Sequence, residues 1–197
     1  MQNGRMSGRK SVTLEFLSPE PCSLFIGVLG KEQGDFEEAK SFLLERWGPM
    51  VMEWGPHPFS SYTDYYHQEM GSPLFRWFVA FEGLISPESL VRIKNETRSL
   101  EAEYLLRPGL SPPCRRVNLD PGTLQMPRIV LASGKDHAHR LYLGEGIYGE
   151  LTLLYEKKRW KSLPWTYPDY RSEAYHGFLS SLREYHRFAL RSLKEVR

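Results

Sequence analysis

Apolar and polar positions along the chain follow two periods, and each switch between them marks an element. Ser23 to Gly30 (SLFIGVLG) is an apolar run of strand length. Phe36, Ala39, Leu43 and Trp47 then recur at helical spacing, and Gly48-Pro49 ends the run. Asp35, with Glu38 three positions on, reads as a capping box at the start of that helix. Val51 to Phe59 predicts a second strand, which Pro56 and Pro58 confine to a sheet edge. Leu74 to Leu84 is the clearest strand. Phe75, Trp77, Val79 and Phe81 share one face, and Arg76, Phe78, Ala80 and Glu82 the other. Both faces are largely apolar, so this strand is placed centrally and Arg76 needs a partner there.

A second helix opens with Ser86 at the cap and Pro87 at the first position. Its buried stripe is Leu90, Ile93, Thr97, Leu100 and Tyr104, with Lys94 and Glu101 together on one shoulder. Arg107 to Pro113 reads as a turn-rich connector. Arg116, Asn118 and Asp120 alternate with Val117 and Leu119 and so share a strand face, and Pro121-Gly122 predicts a turn. Arg128 to Ser133 is an apolar strand. His139 to Tyr155 predicts a hairpin around Gly144-Glu145-Gly146, pairing Leu143 with Ile147, Tyr142 with Tyr148 and Arg140 with Glu150. That register puts His139 on the opposite face, with Leu141, Leu143 and Leu151. Tyr175, Phe178, Leu179, Leu182, Tyr185, His186, Ala189 and Leu193 form the stripe of a last helix.

The order strand, helix, strand, strand, helix, strand matches a split βαβ plan. The fold class expected is therefore α+β (an α/β sandwich), a ferredoxin-like split βαβ core with an added β-hairpin and a C-terminal helix. Residues 1–20 are expected to be a mobile tail and residues 21–197 a single domain, which suits a chain of 197 residues.

Composition removes several classes of function. A net charge of +2 is too small to imply a nucleic-acid partner by itself. The 2 cysteines, Cys22 and Cys114, form no CxxC pair, which argues against a zinc ribbon, a redox motif or a disulfide framework and favours a reducing cytoplasm. No apolar run approaches the roughly 18 residues that span a bilayer, and no apolar segment follows the basic MQNGRMSGRK start. The loop GVLGKEQG falls short of a phosphate-binding P-loop: Gly27 stands only three before Gly30, and Glu32 occupies the place of the hydroxyl.

What remains is a mixture of charged and apolar positions in several segments. Glu69 lies in a tyrosine-rich loop (SSYTDYYHQEMGSP), and Asp169 in a proline-held, ring-rich segment (SLPWTYPDY) suited to a pocket wall. With Asp120 and Glu150 these carboxylates are the acid–base candidates. Lys94, Asn118, Ser133, Lys135, His139 and Arg140 are the candidates to hold an anion. Small residues at Ser133-Gly134 let backbone N–H groups approach it, with Lys135 as a point charge. His137 and His139 form HxH without a third ligand at motif spacing, so no metal site is assigned. Lys157, Lys158, Arg159 and Lys161 around Trp160 read as a solvated strand end.

The segments FIGVL (25–29), DYYHQEMG (64–71), LFRWFVAF (74–81), IKNETRSLE (93–101), RRVNLDPG (115–122), VLASGKDHAHRLYL (130–143), GIYGELTLLY (146–155) and PWTYPDY (164–170) together resemble the prokaryotic family known as domain of unknown function 4416. The resemblance implies a shared fold and shared polar positions: Glu69, Arg76, Lys94, Glu101, Asn118, Asp120, Lys135, His139, Arg140, Glu150 and Asp169. It implies no particular reaction. At Gly134 the family pattern has threonine.

Three readings follow. The first is a site for an anionic small molecule, phosphorylated compounds and nucleotides included, with acid–base catalysis as an extension. The second is a nucleic-acid or protein binding module, supported by Trp160 among lysines and by the tyrosine loop, and opposed by the low net charge. The third is a buried ion-pair network without catalysis, built on Arg140–Glu150, Lys94–Glu101 and Arg76 with an acid. Whether the chain is an enzyme, its cofactors and its oligomeric state stay open.

Overall fold

The computed structural model describes residues 18–106 and 114–195. The expected tail lies outside the described residues apart from 18–20, and so does the connector at 107–113. The strand β1 (Ser23–Gly30) is buried along its whole length. β3 (Phe75–Phe81) and β4 (Asn118–Gln125) flank it, both antiparallel. β2 (Met50–Pro58) pairs with β3 and forms one edge, where its prolines interrupt no shared ladder on the outer side. Beyond β4 come β5 (Arg128–Ser133), β7 (Ile147–Glu156) and β6 (Arg140–Gly144), and β8 (Arg159–Ser162) also pairs with β7. The order is β2-β3-β1-β4-β5-β7-β6 in one eight-stranded antiparallel sheet.

The helix α1 (Gln33–Trp47) links β1 to β2 across β3, and α3 (Ser89–Glu103) links β3 to β4 across β1. A split βαβ plan has this interleaving, and the architecture is α+β as expected. Both helices cover one face, where Ile26, Val28, Phe36, Leu43, Trp77 and Ile93 pack together. The last helix, α4 (Glu173–Glu195), covers the other through Tyr175, Phe178, Leu179 and Leu182 against Phe25, Phe78 and Leu153. A four-residue helix, α2 (His67–Met70), lies in the tyrosine loop. No helix among the described residues is long and apolar enough to cross a membrane.

Local signals were displaced where packing outweighed them. Asp35 lies inside the first turn of α1, accepting the N–H groups of Lys31 and Glu32 at 3.1 and 3.0 Å, so the helix starts ahead of the expected cap. α3 starts at Ser89, and the carbonyl of Ser86 accepts its N–H at 3.0 Å. Pro121-Gly122 makes no turn, because β4 runs straight through it. Pairing with β5 begins only at Gly122, so Pro121 lies beside an open stretch of edge. Gly122 leaves room for a ring: a Cβ there would stand 2.5 Å from Cζ of Phe25 and 2.7 Å from Cδ2 of Leu131. The β6–β7 turn holds two residues, Glu145 and Gly146, both at positive φ. The register shifts at Leu143, so Gly144 faces Ile147, while Tyr142–Tyr148 and Arg140–Glu150 pair as expected.

Two glycine substitutions test this packing. Gly122→Ala should destabilise the protein by about 1–3 kcal/mol in urea unfolding, the usual range for overpacking. Gly177→Ala, inside α4 with nothing within 4 Å of the new Cβ, should stabilise by roughly 0.5–1 kcal/mol. Equal stability of Gly122→Ala and the parent would contradict the close approach of Phe25.

Candidate functional site

The sheet opens on one side of β4. β4 and β5 pair from Gln125–Arg128 to Gly122–Leu131 and then part. β5 continues along β7 as far as Ser133–Tyr148, while Asn118 to Pro121 stay on β1. Among the described residues this leaves the β4 backbone at Leu119 without a strand on its second side. Two side chains of α3 take the strand's place. Glu101 Oε1 accepts the Leu119 N–H at 2.6 Å, and Lys94 Nζ donates to the Leu119 carbonyl at 2.7 Å. Both are nearly buried, at 5% and 7% exposure. They sit on the shoulder of the stripe as the spacing predicts, but they bind Leu119 rather than each other.

Because the edge is open, charges from both faces of the sheet meet there. Arg76 of β3 reaches across β1 over Gly27, where a Cβ would stand 3.0 Å from its Nη1 and 2.9 Å from the Phe78 ring. Its Nη1 donates to Asp120 Oδ2 at 3.0 Å, and its Nη2 lies 3.6 Å from Asp169 Oδ2. Asn118 Nδ2 also donates to Asp120 Oδ2, at 2.7 Å, and Lys94 Nζ lies 3.7 Å from Asp120 Oδ1. Burial disfavours the charge of both aspartates. At Asp120 the cations Lys94 and Arg76 overcome it and hold the carboxyl below its usual range. At Asp169 burial outweighs Arg76 and pushes the carboxyl up.

Arg115 ties the next residues together. It donates to Glu69 at 2.6 and 2.9 Å, to Glu101 Oε2 at 2.9 Å and to Asn118 Oδ1 at 2.7 Å. Its hydrogen bonds hold the Glu69 carboxyl below the usual range. Sequence reasoning missed Arg115, because it precedes β4 and strand alternation does not reach it. Its only signal was its place within RRVN. Arg116 turns instead to α1, 3.0 Å from Asp35 and 2.7 Å from Glu38, and does not share the face of Asn118 and Asp120.

The opposite wall is built on Arg140. Its Nε donates to Glu150 Oε2 at 2.8 Å, its Nη1 to Ser133 Oγ and the Lys135 carbonyl at 2.9 Å each, and its Nη2 to the Tyr167 hydroxyl at 2.5 Å. His139 is on the same side, contrary to the register expectation: its Nε2 lies 3.2 Å from Glu150 Oε2. β6 begins at Arg140, so alternation does not govern the residue before it. The His139 ring stacks with Trp165 at 5.3 Å and with His137 at 5.7 Å. Lys135 donates to the Tyr65 hydroxyl and sits 4.6 Å over that ring. Arg98 lies beside Gly134, 3.7 Å from where a Cβ would be. Neither Lys135 nor Arg98 has a carboxylate partner among the described residues.

These groups surround one cavity of about 950 Å³. Asp120, Glu150, Asp169, Lys94, Lys135, Arg140, Ser133, His139 and Asn118 line it, together with Arg76, Arg98, Arg115 and a set of aromatic rings. Glu69 does not line it, and its carboxylate is joined to the lining by the ion pair with Arg115. Among the described residues no group of three or more His, Cys, Asp or Glu side chains is placed to hold a metal ion.

Lys94→Met should cost about 1–3 kcal/mol in urea unfolding at neutral pH, the penalty for a buried carbonyl left without a donor. Asp120 is held below its ordinary 3.8, so its contribution is full above that pH and is lost as the pH falls through the folded-state value. Part of the Lys94→Met deficit should therefore disappear in acid. Unchanged stability at pH 7 would show that Leu119 does not depend on this lysine.

Comparison with curated proteins and with solved structures finds no match for this chain. The profile of one family, described as domain of unknown function (DUF4416), matches residues 20–186, and the chain belongs to that family.

Proposed function

We propose that this protein binds a small phosphorylated anion in the cavity between β4 and β5. One observation carries the reading. The cavity is lined by the cations Arg76, Lys94, Arg98, Arg115, Lys135 and Arg140 and by the carboxylates Glu101, Asp120, Glu150 and Asp169. The two cations without a carboxylate partner among the described residues, Arg98 and Lys135, are both exposed beside Ser133-Gly134. Positive charge left over at a concave surface concentrates anions. The volume lies in the range of small-molecule sites, and Tyr65, Tyr66, Trp165 and Tyr167 supply ring surfaces for a planar ligand. A pure ion-pair network would need neither the cavity nor the surplus.

Acid–base catalysis on the bound ligand extends this reading. Two carboxyls on one guanidinium, one held low and one pushed up, suit a proton-transfer pair. The nucleic-acid reading loses one support, since Trp160 is buried with its Nε1 donating to Ser180 Oγ at 3.1 Å. We read residues 21–197 as one domain, on the continuity of the sheet, and the β2-β3-β1-β4 half as a ferredoxin-like unit, on its strand order.

A thermal-shift panel of inorganic pyrophosphate, sugar phosphates and nucleotides tests the proposal. A ligand at 100 times its dissociation constant should add about 2.7 kcal/mol of stability. Arg98→Ala and Lys135→Ala should each weaken binding roughly 10-fold or more, the value of a charge-assisted hydrogen bond, with an unchanged melting temperature in the absence of ligand. No stabilisation across the panel, or parental affinity in the double variant, would refute the site.

A further inference from the structure

We infer that the cavity takes its ligand in one direction, with the anionic end at Arg98 and Lys135 and a hydrogen-bond-donating end, hydroxyl or amino, at Asp120 and Asp169. A nucleoside monophosphate has this polarity, with a planar ring between its two ends. The inference rests on the anion-site reading above and adds the class of ligand.

The distribution of unmatched groups carries it. At the rim they are cations. At the floor they are mainly acceptors, beside one buried donor, Arg76 Nε: Asp120 Oδ1 has no hydrogen-bond donor among the described residues, with Lys94 Nζ at 3.7 Å. Asp169 is 3% exposed, and its Oδ2 has no hydrogen-bond partner among the described residues, with Arg76 Nη2 at 3.6 Å. The Tyr170 hydroxyl beside it is also buried and has no partner among the described residues. Asp169 and Tyr170 line the cavity but come from the single 3₁₀ turn Asp169–Arg171, which the sheet does not need for its own pairing.

Buried polar groups are ordinarily satisfied, and a cluster that is not points to a partner from outside the chain. The Asp120 carboxylate, engaged at Oδ2 by Arg76 and Asn118, can only accept at Oδ1, so a ligand group that meets it must donate. A second phosphate there would meet two carboxylates, with Arg76 and Lys94 already engaged by them.

The two ends are physically joined. Arg140 donates to the Lys135 carbonyl at the rim and to the Tyr167 hydroxyl, two residues before Asp169. Tyr167 and Trp165 line the same cavity and supply ring surface for a base or sugar. The Tyr167 hydroxyl is itself pushed up to about 12 by burial and by the nearby Glu150 charge, so it stays a donor and acceptor there. Sites that hydrogen-bond a specific hydroxyl or amino group reject analogues without one strongly, because the protein group is then left unpaired.

The test is calorimetric titration of the full chain with two kinds of probe, the common ribonucleoside 5′-monophosphates and inorganic pyrophosphate. The wild type should bind at least one nucleotide 10-fold or more tightly than pyrophosphate. Asp169→Asn should lose 10-fold or more toward that nucleotide and change less than 2-fold toward pyrophosphate. Tyr170→Phe, which removes a hydroxyl with no partner among the described residues and should leave the fold intact, should lose about 3- to 10-fold toward the nucleotide alone. Lys135→Ala should weaken both probes. If pyrophosphate binds as well as every nucleotide, or if Asp169→Asn and Tyr170→Phe leave nucleotide affinity unchanged, the orientation is overturned while the anion site stands. If the wild type binds no probe, the anion site and the orientation both fall.

Discussion

Leu119 presents a backbone N–H and a carbonyl that no strand among the described residues pairs on the β5 side, and the rest of the site depends on how they are satisfied. A buried amide left without partners would cost about 1–3 kcal/mol per group. Glu101 and Lys94, about two turns apart on α3, supply the acceptor and the donor. With the edge closed by side chains, β5 is free to leave β4 and follow β7. A strand in that position would have filled the space that is now the cavity.

The same opening explains why charges so far apart in sequence come together. A continuous sheet separates what lies on its two faces. Here Lys94, Arg98 and Glu101 come from the α3 side, and Arg76, Asp169 and Tyr170 from the side covered by α4. Gly27 makes the second crossing possible, since any side chain there would collide with Arg76 and Phe78. Much of the network is structural: Arg140 with Glu150, Arg115 with Glu69 and Glu101, Arg76 with Asp120. Such pairs fix geometry more than they add stability, yet removing one partner leaves the other buried and costly. Asp169 differs from these, because burial outweighs its attraction to Arg76. Strain of that kind concentrates where a ligand is handled.

Periodicity made the elements legible because the core enforces it. β1 and β5 have the bounds read from their apolar runs, and β3 carries Arg76 among apolar residues with the acid partner that burial demands. Periodicity stopped being informative at the ends of elements, and part of the site is made of ends. His139 and Arg115 each lie just outside a strand, so alternation assigned the first to the wrong face and gave no place to the second. Pro121-Gly122 has turn chemistry, but the rings of Phe25 and the open edge at Pro121 account for it in a straight strand. Lys94 and Glu101 were placed on the correct shoulder of α3. Their partner was a backbone amide from a strand 18 or more positions away, which no side-chain pattern encodes.

The most direct test is a crystal structure of the protein with a bound nucleoside monophosphate. The phosphate should lie within hydrogen-bond distance of Arg98 or Lys135, the ring or sugar should lie against Tyr167 and Trp165, and a hydroxyl or amino group should meet Asp120 or Asp169. A phosphate seated on the floor beside Arg76, or a nucleotide bound anywhere outside the gap between β4 and β5, would contradict it.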